Sequence, residues 1–239
     1  MSGDRLEITT ADGVADAYRA RPDGEVRGSV LLIMDAYGLR PQIERMADRI
    51  AERGYVVLAP NVFYRDAKGL LLTPEELAGG NVFEKVMPLV RALTPDVVVR
   101  DGPAYLNALG DGPVAITGYC MGGRAGWHLA AAYPDRVAAL GGFHVGSLVT
   151  DAPDSPHHKA PDIAAEVYFG HADNDRSMNP DQIATLDAAM DEAGVVHRTE
   201  VYEGAAHGYT MADTPAYDEA AAERHYRELF ALLDRTVAA

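Results

Sequence analysis

Val114-Ala115-Ile116-Thr117-Gly118-Tyr119-Cys120-Met121-Gly122-Gly123 is the stretch whose reading decides the fold. Residues 114–117 are an apolar run of strand length, and residues 121–133 have helical character until Pro134 ends them. Gly118-x-Cys120-x-Gly122 joins the two. A strand that turns this sharply into a helix holds the central residue in strained backbone geometry, and only near-absent side chains at the flanking positions avoid collision. The same turn lifts the Cys120 side chain off the sheet and sets it at a helix N-terminus, whose partial positive charge favours thiolate over thiol. The small residues Gly123, Ala125 and Gly126 that follow strengthen the pattern. The competing reading is an inert cysteine buried in a Gly-rich turn.

Working outward, residues 6–10 and 15–20 flank Asp12-Gly13 and predict an antiparallel hairpin. Strands are expected at 29–34, 55–59, 137–142, 165–169 and 198–202, and helices at 40–53, 180–193 and 216–237. In the first helix Ile43, Met46, Ala47 and Ile50 recur at helical spacing before Gly54 stops it. Apolar strands alternating with helices imply an α/β fold: a mostly parallel central sheet with helices on both faces, behind the N-terminal hairpin. The length suits one domain over 1–239. In such a sheet the chemistry sits at the strands' C-terminal ends. Segments 63–80 and 145–162, the second containing Asp154-Ser155-Pro156-His157-His158, are long for connections and read as pocket walls or lids, against ordinary surface excursions.

With 36 acidic and 21 basic residues the formal charge is −15, so the field repels phosphate backbones and anionic membrane surfaces, and neither nucleic acid nor membrane is an expected partner. The start, Met1-Ser2-Gly3-Asp4-Arg5, lacks the basic and apolar runs of a secretory signal, and a cytoplasmic location is expected. One cysteine cannot form an internal disulfide, which leaves Cys120 packing, redox or catalysis. No cofactor is implied, and a monomer or homodimer is expected.

A nucleophile elbow predicts an acid after a later strand and a histidine after the last one. Gly170-His171-Ala172-Asp173 follows the strand at 165–169, and Glu203-Gly204-Ala205-Ala206-His207-Gly208 follows the strand at 198–202. His207 would then hold the proton of Cys120 and deliver it to a leaving group, with Asp173 fixing the ring's tautomer. Asp175 is the alternative acid. The oxyanion donors would be the backbone N–H of Met121 and one from Met34-Asp35-Ala36-Tyr37-Gly38, taken as Ala36.

These residues resemble the dienelactone hydrolase (carboxymethylenebutenolidase) family of α/β-hydrolases. The resemblance runs from Asp35-Ala36-Tyr37-Gly38 through Gly54-Tyr55-x-x-Leu58-Ala59-Pro60 and Gly118-Tyr119-Cys120-Met121-Gly122-Gly123 to Ala206-His207-Gly208. It implies a Cys-Asp-His triad at Cys120, Asp173 and His207, with oxyanion donors at Met121 and Ala36. It also implies a small ester or lactone substrate. Where family members place a thiol-modulating Glu this chain has Asp35, and where they place a carboxylate-binding Arg it has Met211. Arg124 and Arg65 are the candidate replacements for that Arg, with solvated or structural pairing as the competing role.

Candidate pocket residues are Tyr37, Tyr64, Tyr119, Arg124, Phe143 and Met211, with Phe63 and Trp127 beside them, although aromatic residues near strand ends are more often core. The alternative function is a redox-responsive thiol or a binding pocket on the same fold. His144, His157, His158 and His171 raise the question of a metal, but their spacing matches no ligand pattern and no metal is expected.

Overall fold

The computed structural model describes residues 3–79 and 82–238. Gly80, the last residue of the first long segment, lies outside them. Eight strands form one sheet in the order β1-β2-β4-β3-β5-β6-β7-β8. The hairpin β1 (Asp4–Thr10) and β2 (Gly13–Ala20) is antiparallel, and β2 also runs antiparallel to β4 (Tyr55–Pro60). From there β3 (Gly28–Ile33), β5 (Val114–Tyr119), β6 (Val137–Phe143), β7 (Glu166–Ala172) and β8 (His197–Tyr202) are parallel. Every residue of β5 is buried, as a central strand covered on both faces requires. On β3 and β4 Leu31, Leu32, Val57 and Leu58 are likewise fully removed from solvent.

Helices α1 (Pro41–Ala51), α5 (Met121–Ala132), α6 (Pro180–Ala193) and α7 (Glu219–Thr236) match the expected ones within a few residues at each end. Pro41 occupies the first turn of α1, and Asn179 with Gln182 closes a capping box on α6. The sequence reading assigns no element to 81–113. The structure places α3 (Phe83–Ala92) and α4 (Pro95–Ala108) there, after a short α2 (Pro74–Gly79). Pro88 and Pro103 lie inside α3 and α4 and interrupt the helical signal a periodicity search relies on, while Thr94, which accepts from the Val97 N–H, caps α4.

The parallel strands end level with one another. Ile33 pairs with Gly118, Tyr119 with Phe143, Phe143 with Gly170 and Ala172 with Tyr202. Four loops, after β3, β5, β7 and β8, therefore emerge along one edge of the sheet and can share a site. No helix among the described residues is long and apolar enough to cross a membrane.

Candidate active site

Cys120 sits at the junction of β5 and α5 with φ 54° and ψ −120°. Positive φ for a side chain of this kind stores strain, and it persists because the surroundings allow no alternative. A Cβ on Gly118 would collide with the Gly122 carbonyl, and one on Gly122 with the carbonyls of Ile33 and Met34 at the end of β3. Both neighbours are backbone and cannot swing aside. The sulfur is partly exposed while β5 beneath it is buried.

His207, in the loop after β8, has its Nδ1 2.6 Å from Asp175 Oδ2. The other carboxylate oxygen of Asp175 accepts from the Ser177 N–H (2.8 Å) and hydroxyl (2.7 Å). The acid expected at this position was Asp173, and the structure corrects it. Asp173 Oδ2 instead accepts the Gly204 N–H at 2.9 Å, and its own N–H donates to the Ala205 carbonyl at 2.8 Å. Asp173 thus ties the loop after β7 to the loop after β8 without reaching the imidazole. The reason lies in strand length: β7 runs through Gly170 to Ala172 instead of breaking at Gly170, and Asn174 at φ 53° then turns the chain so that Asp175 faces inward.

Burial alone would pull the His207 pKa down. Hydrogen bonds to Asp175 and Cys120, with the charges on both, carry it up to about 10. For Asp175, burial pushes upward, yet the bonds from His207 and Ser177 bring it down to about 2. The ion-paired form of this couple is the favoured one.

On the other side of the sulfur lies the loop after β3. Asp35 Oδ1 accepts the Tyr37 N–H (3.0 Å) and the Asp35 carbonyl accepts the Gly38 N–H (3.3 Å), which curls the loop tightly. The N–H groups of Ala36 and Met121 have no protein acceptor among the described residues, and both residues border the cavity beside Cys120. Sequence reasoning missed what holds this loop: Arg40, 1% exposed, grips Asp35 and reaches across to Asp213 in the segment after His207. His144, considered in the sequence only for a metal, stands with its ring edge-on to His207 at 5.2 Å between centroids, with Nε2 2.7 Å from Thr210 Oγ1. Burial and the neighbouring His207 push the His144 pKa well below the usual imidazole range.

The cleft has two lobes that meet at Cys120, Met121 and His207. One, of about 510 Å³, is walled by apolar side chains that include Val86, Met87, Met211 and Pro215, with Tyr37 and His144 at its base. The other, of about 680 Å³, carries Arg91, Arg124 and Arg176 together with Ser147, Thr150 and Asp154. Of the pocket candidates, Tyr37, Arg124 and Met211 line the cleft.

The remaining pocket candidates do not. The Tyr64 hydroxyl bonds Thr10 and Asp101, and Tyr119 meets His225 at 3.0 Å. Phe143 stacks on Tyr119, Trp127 donates to the Pro156 carbonyl, and Phe63 is 3% exposed. These five belong to the core: Tyr119 and Phe143 are the last residues of β5 and β6, Trp127 sits in α5, and Phe63 and Tyr64 follow β4, all of them buried. Arg65 is held by Asp12 and Asp101, away from the cleft. Of the two long segments, 145–162 supplies wall residues and 63–80 contributes Leu77, while α3 adds a further wall through Phe83, Val86, Met87, Val90 and Arg91. The four histidines considered for a metal are not brought together, and among the described residues no group of three or more His, Cys, Asp or Glu could hold one.

A family model for dienelactone hydrolases matches residues 15–237. The chain belongs to the dienelactone hydrolase family. It is 29% identical over 225 residues to a Yersinia pestis protein named "Putative carboxymethylenebutenolidase", covering 89% of this chain and 80% of that one. A mouse "Carboxymethylenebutenolidase homolog" is 26% identical, covering 85% and 82%. Among solved structures, the crystal structure titled "Putative Dienelactone Hydrolase" from Klebsiella pneumoniae superposes with a TM-score of 0.82 over 98% of both chains at 23% identity, a likeness of fold. The parallel sheet with its antiparallel hairpin is therefore the α/β-hydrolase fold of this family.

Proposed function

We propose that this member of the dienelactone hydrolase family is a cysteine-dependent hydrolase of small esters or lactones, with Cys120 as nucleophile, His207 as base and acid, and Asp175 as the residue that orients the ring. The observation that carries the reading is His207, held through Nδ1 by Asp175 Oδ2 at 2.6 Å, lining with Cys120 the same cleft at the sheet's C-terminal edge. With Nδ1 committed to Asp175, Nε2 is the nitrogen available to the sulfur.

The proton of Cys120 passes to Nε2, whose affinity for it is raised by Asp175. The sulfur attacks the carbonyl carbon, and the carbonyl oxygen takes the electron pair between the Ala36 and Met121 N–H groups. As the tetrahedral species collapses, the carbon–oxygen bond breaks and the departing alkoxide takes the proton from Nε2, leaving a thioester. Water then adds to the thioester carbonyl while His207 accepts its proton. Collapse expels the sulfur, which recovers that proton from the ring, and the carboxylic acid leaves.

Turnover of p-nitrophenyl acetate and of a simple lactone by the wild type, lost in Cys120→Ala, is the expected result. Absence of hydrolysis across short acyl esters, with Cys120 still open to alkylation, would favour a non-hydrolytic thiol instead.

A further inference from the structure

His144 is left without a role by the proposed reaction. It follows β6 directly, its N–H donates to the Gly170 carbonyl at 2.8 Å, and its backbone stands at φ 42°. The ring is 1% exposed, and its Nδ1 has no hydrogen-bond partner among the described residues. Positive φ and an orphaned buried nitrogen both cost stability. A phenylalanine would fill the same space without the second cost, so the polarity of this ring needs a reason.

Two contacts connect the ring to the base. Its centroid lies 5.2 Å from that of His207, with the planes at 65°. Its Nε2 sits 2.7 Å from the hydroxyl oxygen of Thr210, which is buried three residues past His207. The chain between these contacts is a tight turn, closed by the Tyr209 N–H on the Ala206 carbonyl and the Met211 N–H on the Gly208 carbonyl. His144 therefore clamps this turn to the end of β6 and sets where His207 stands above the sheet. Asp175 holds His207 through Nδ1 alone. One hydrogen bond does not fix the ring plane, because rotation about the bond that joins an imidazole to its Cβ is soft, and the His144 ring standing edge-on restricts it.

The groups around His144 suit a base that must carry charge. Tyr209, from the loop after β8, is 5.0 Å away between centroids, and Tyr119, from β5, is 6.1 Å away. Burial pushes both phenols well above their ordinary range, so they stay protonated. His225, from α7, is carried down to about 3 by burial. Asp175, from the loop after β7, supplies the negative charge on this side. A second imidazolium 5.2 Å away would oppose the proton that His207 takes from Cys120, whereas an uncharged ring tolerates it.

We infer that His144 is the positioning residue of the base: clamped by Thr210, its ring holds the His207 imidazole in the plane that keeps Nε2 turned toward the sulfur through both proton transfers. The inference rests on the hydrolase reading and adds to it a residue that acts through His207.

The test is Thr210→Val, which removes the clamp and leaves the His144 ring, beside His144→Phe, which keeps a ring and loses its polar atoms. Each is measured with p-nitrophenyl acetate and by iodoacetamide alkylation of Cys120 across pH. In Thr210→Val kcat should fall by about tenfold with KM within about twofold, a fraction of what general-base catalysis supplies, and Thr210→Ser should recover most of it. Alkylation at neutral pH should slow by a similar factor, while at alkaline pH, where thiolate forms without help from a base, the rate should match the wild type. His144→Phe should show the same split, and if it does not fold, Thr210→Val carries the test.

An unchanged kcat and alkylation profile in Thr210→Val overturns the inference. So does a loss in either variant that only tracks the folded fraction, read by circular dichroism, with the alkylation profile of the folded protein as in the wild type. Both outcomes leave the hydrolase reading standing. A wild type that hydrolyses no ester, with the alkylation profile still shifted in Thr210→Val, sinks the hydrolase reading and leaves His144 as the support of the group that takes the thiol's proton.

Discussion

The guanidinium of Arg40 closes on both oxygens of Asp35, with Nη1–Oδ1 at 2.6 Å and Nη2–Oδ2 at 3.1 Å. Its other edge takes Asp213 through Nε at 2.7 Å and Nη2 at 3.1 Å. One buried cation therefore ties the loop that carries Ala36 to the segment that follows His207. Both aspartates raise its proton affinity against the pull of burial. Asp35, expected to modulate the thiol, has both oxygens committed to this clasp.

Removing Arg40 would leave the buried carboxylate of Asp35, and the partly exposed one of Asp213, without their shared cation. Arg40→Met is expected to lower the free energy of unfolding by about 3–5 kcal/mol, the usual consequence of orphaning a buried charge. Arg40→Lys, which keeps the charge but cannot fork, should fall between the two and reduce kcat more than it raises KM. Urea denaturation with ester kinetics checks both. An unchanged midpoint in Arg40→Met would show that the clasp does not support the loop.

The two aspartates after β7 should separate cleanly. Asp175→Asn is expected to cut kcat by about 10³-fold or more by disrupting the tautomer at His207. Asp173→Asn loses a carboxylate bond to the Gly204 N–H and should lower stability by about 1 kcal/mol with kcat within about threefold of wild type. The reverse ranking in steady-state kinetics would return the orienting role to Asp173.

The paired shifts set a pH window. His207, raised to about 10, contributes stability that is complete below its ordinary value near 6.5 and fades as pH climbs toward 10. Asp175, lowered to about 2, contributes stability that is complete above its ordinary value near 3.8 and fades as pH drops toward 2. The stability difference between wild type and His207→Gln should therefore be widest between about pH 4 and 6.5 and shrink on both sides. Denaturant titrations across pH measure it, and a flat difference would mean that the ion pair does not form.

Gly122→Ala should be far more damaging than its single methyl suggests. The added carbon meets the carbonyls of Ile33, the last residue of β3, and of Met34 just after it. A loss of about 2 kcal/mol or more in stability is expected, with kcat reduced as the elbow shifts. Thermal melting near the wild-type value would show that the strand and the elbow can part without penalty.

Much of this was legible beforehand because the strands advertise themselves. Val114–Tyr119 is buried without a break, and the glycines flanking Cys120 mark a tight turn where backbone passes close to backbone. His207 could be found because the last strand ends close to it in sequence. Asp175 could not be separated from Asp173, since a difference of two residues in the length of β7 is smaller than the accuracy with which strand ends can be read. Arg40 left no local trace either: its partner Asp213 lies 173 positions away, and only folding brings them together. The wall at Phe83–Ala92 was hidden by Pro88, which interrupts the apolar rhythm without ending the helix.

The backbone at Cys120, with φ 54°, would rest more comfortably on a residue that has no side chain. Selection for robustness and selection for turnover therefore pull opposite ways at this one codon. A Cys120→Gly variant is expected to melt no lower than its parent while hydrolysing nothing, so that heat tolerance alone would reward the loss of the enzyme.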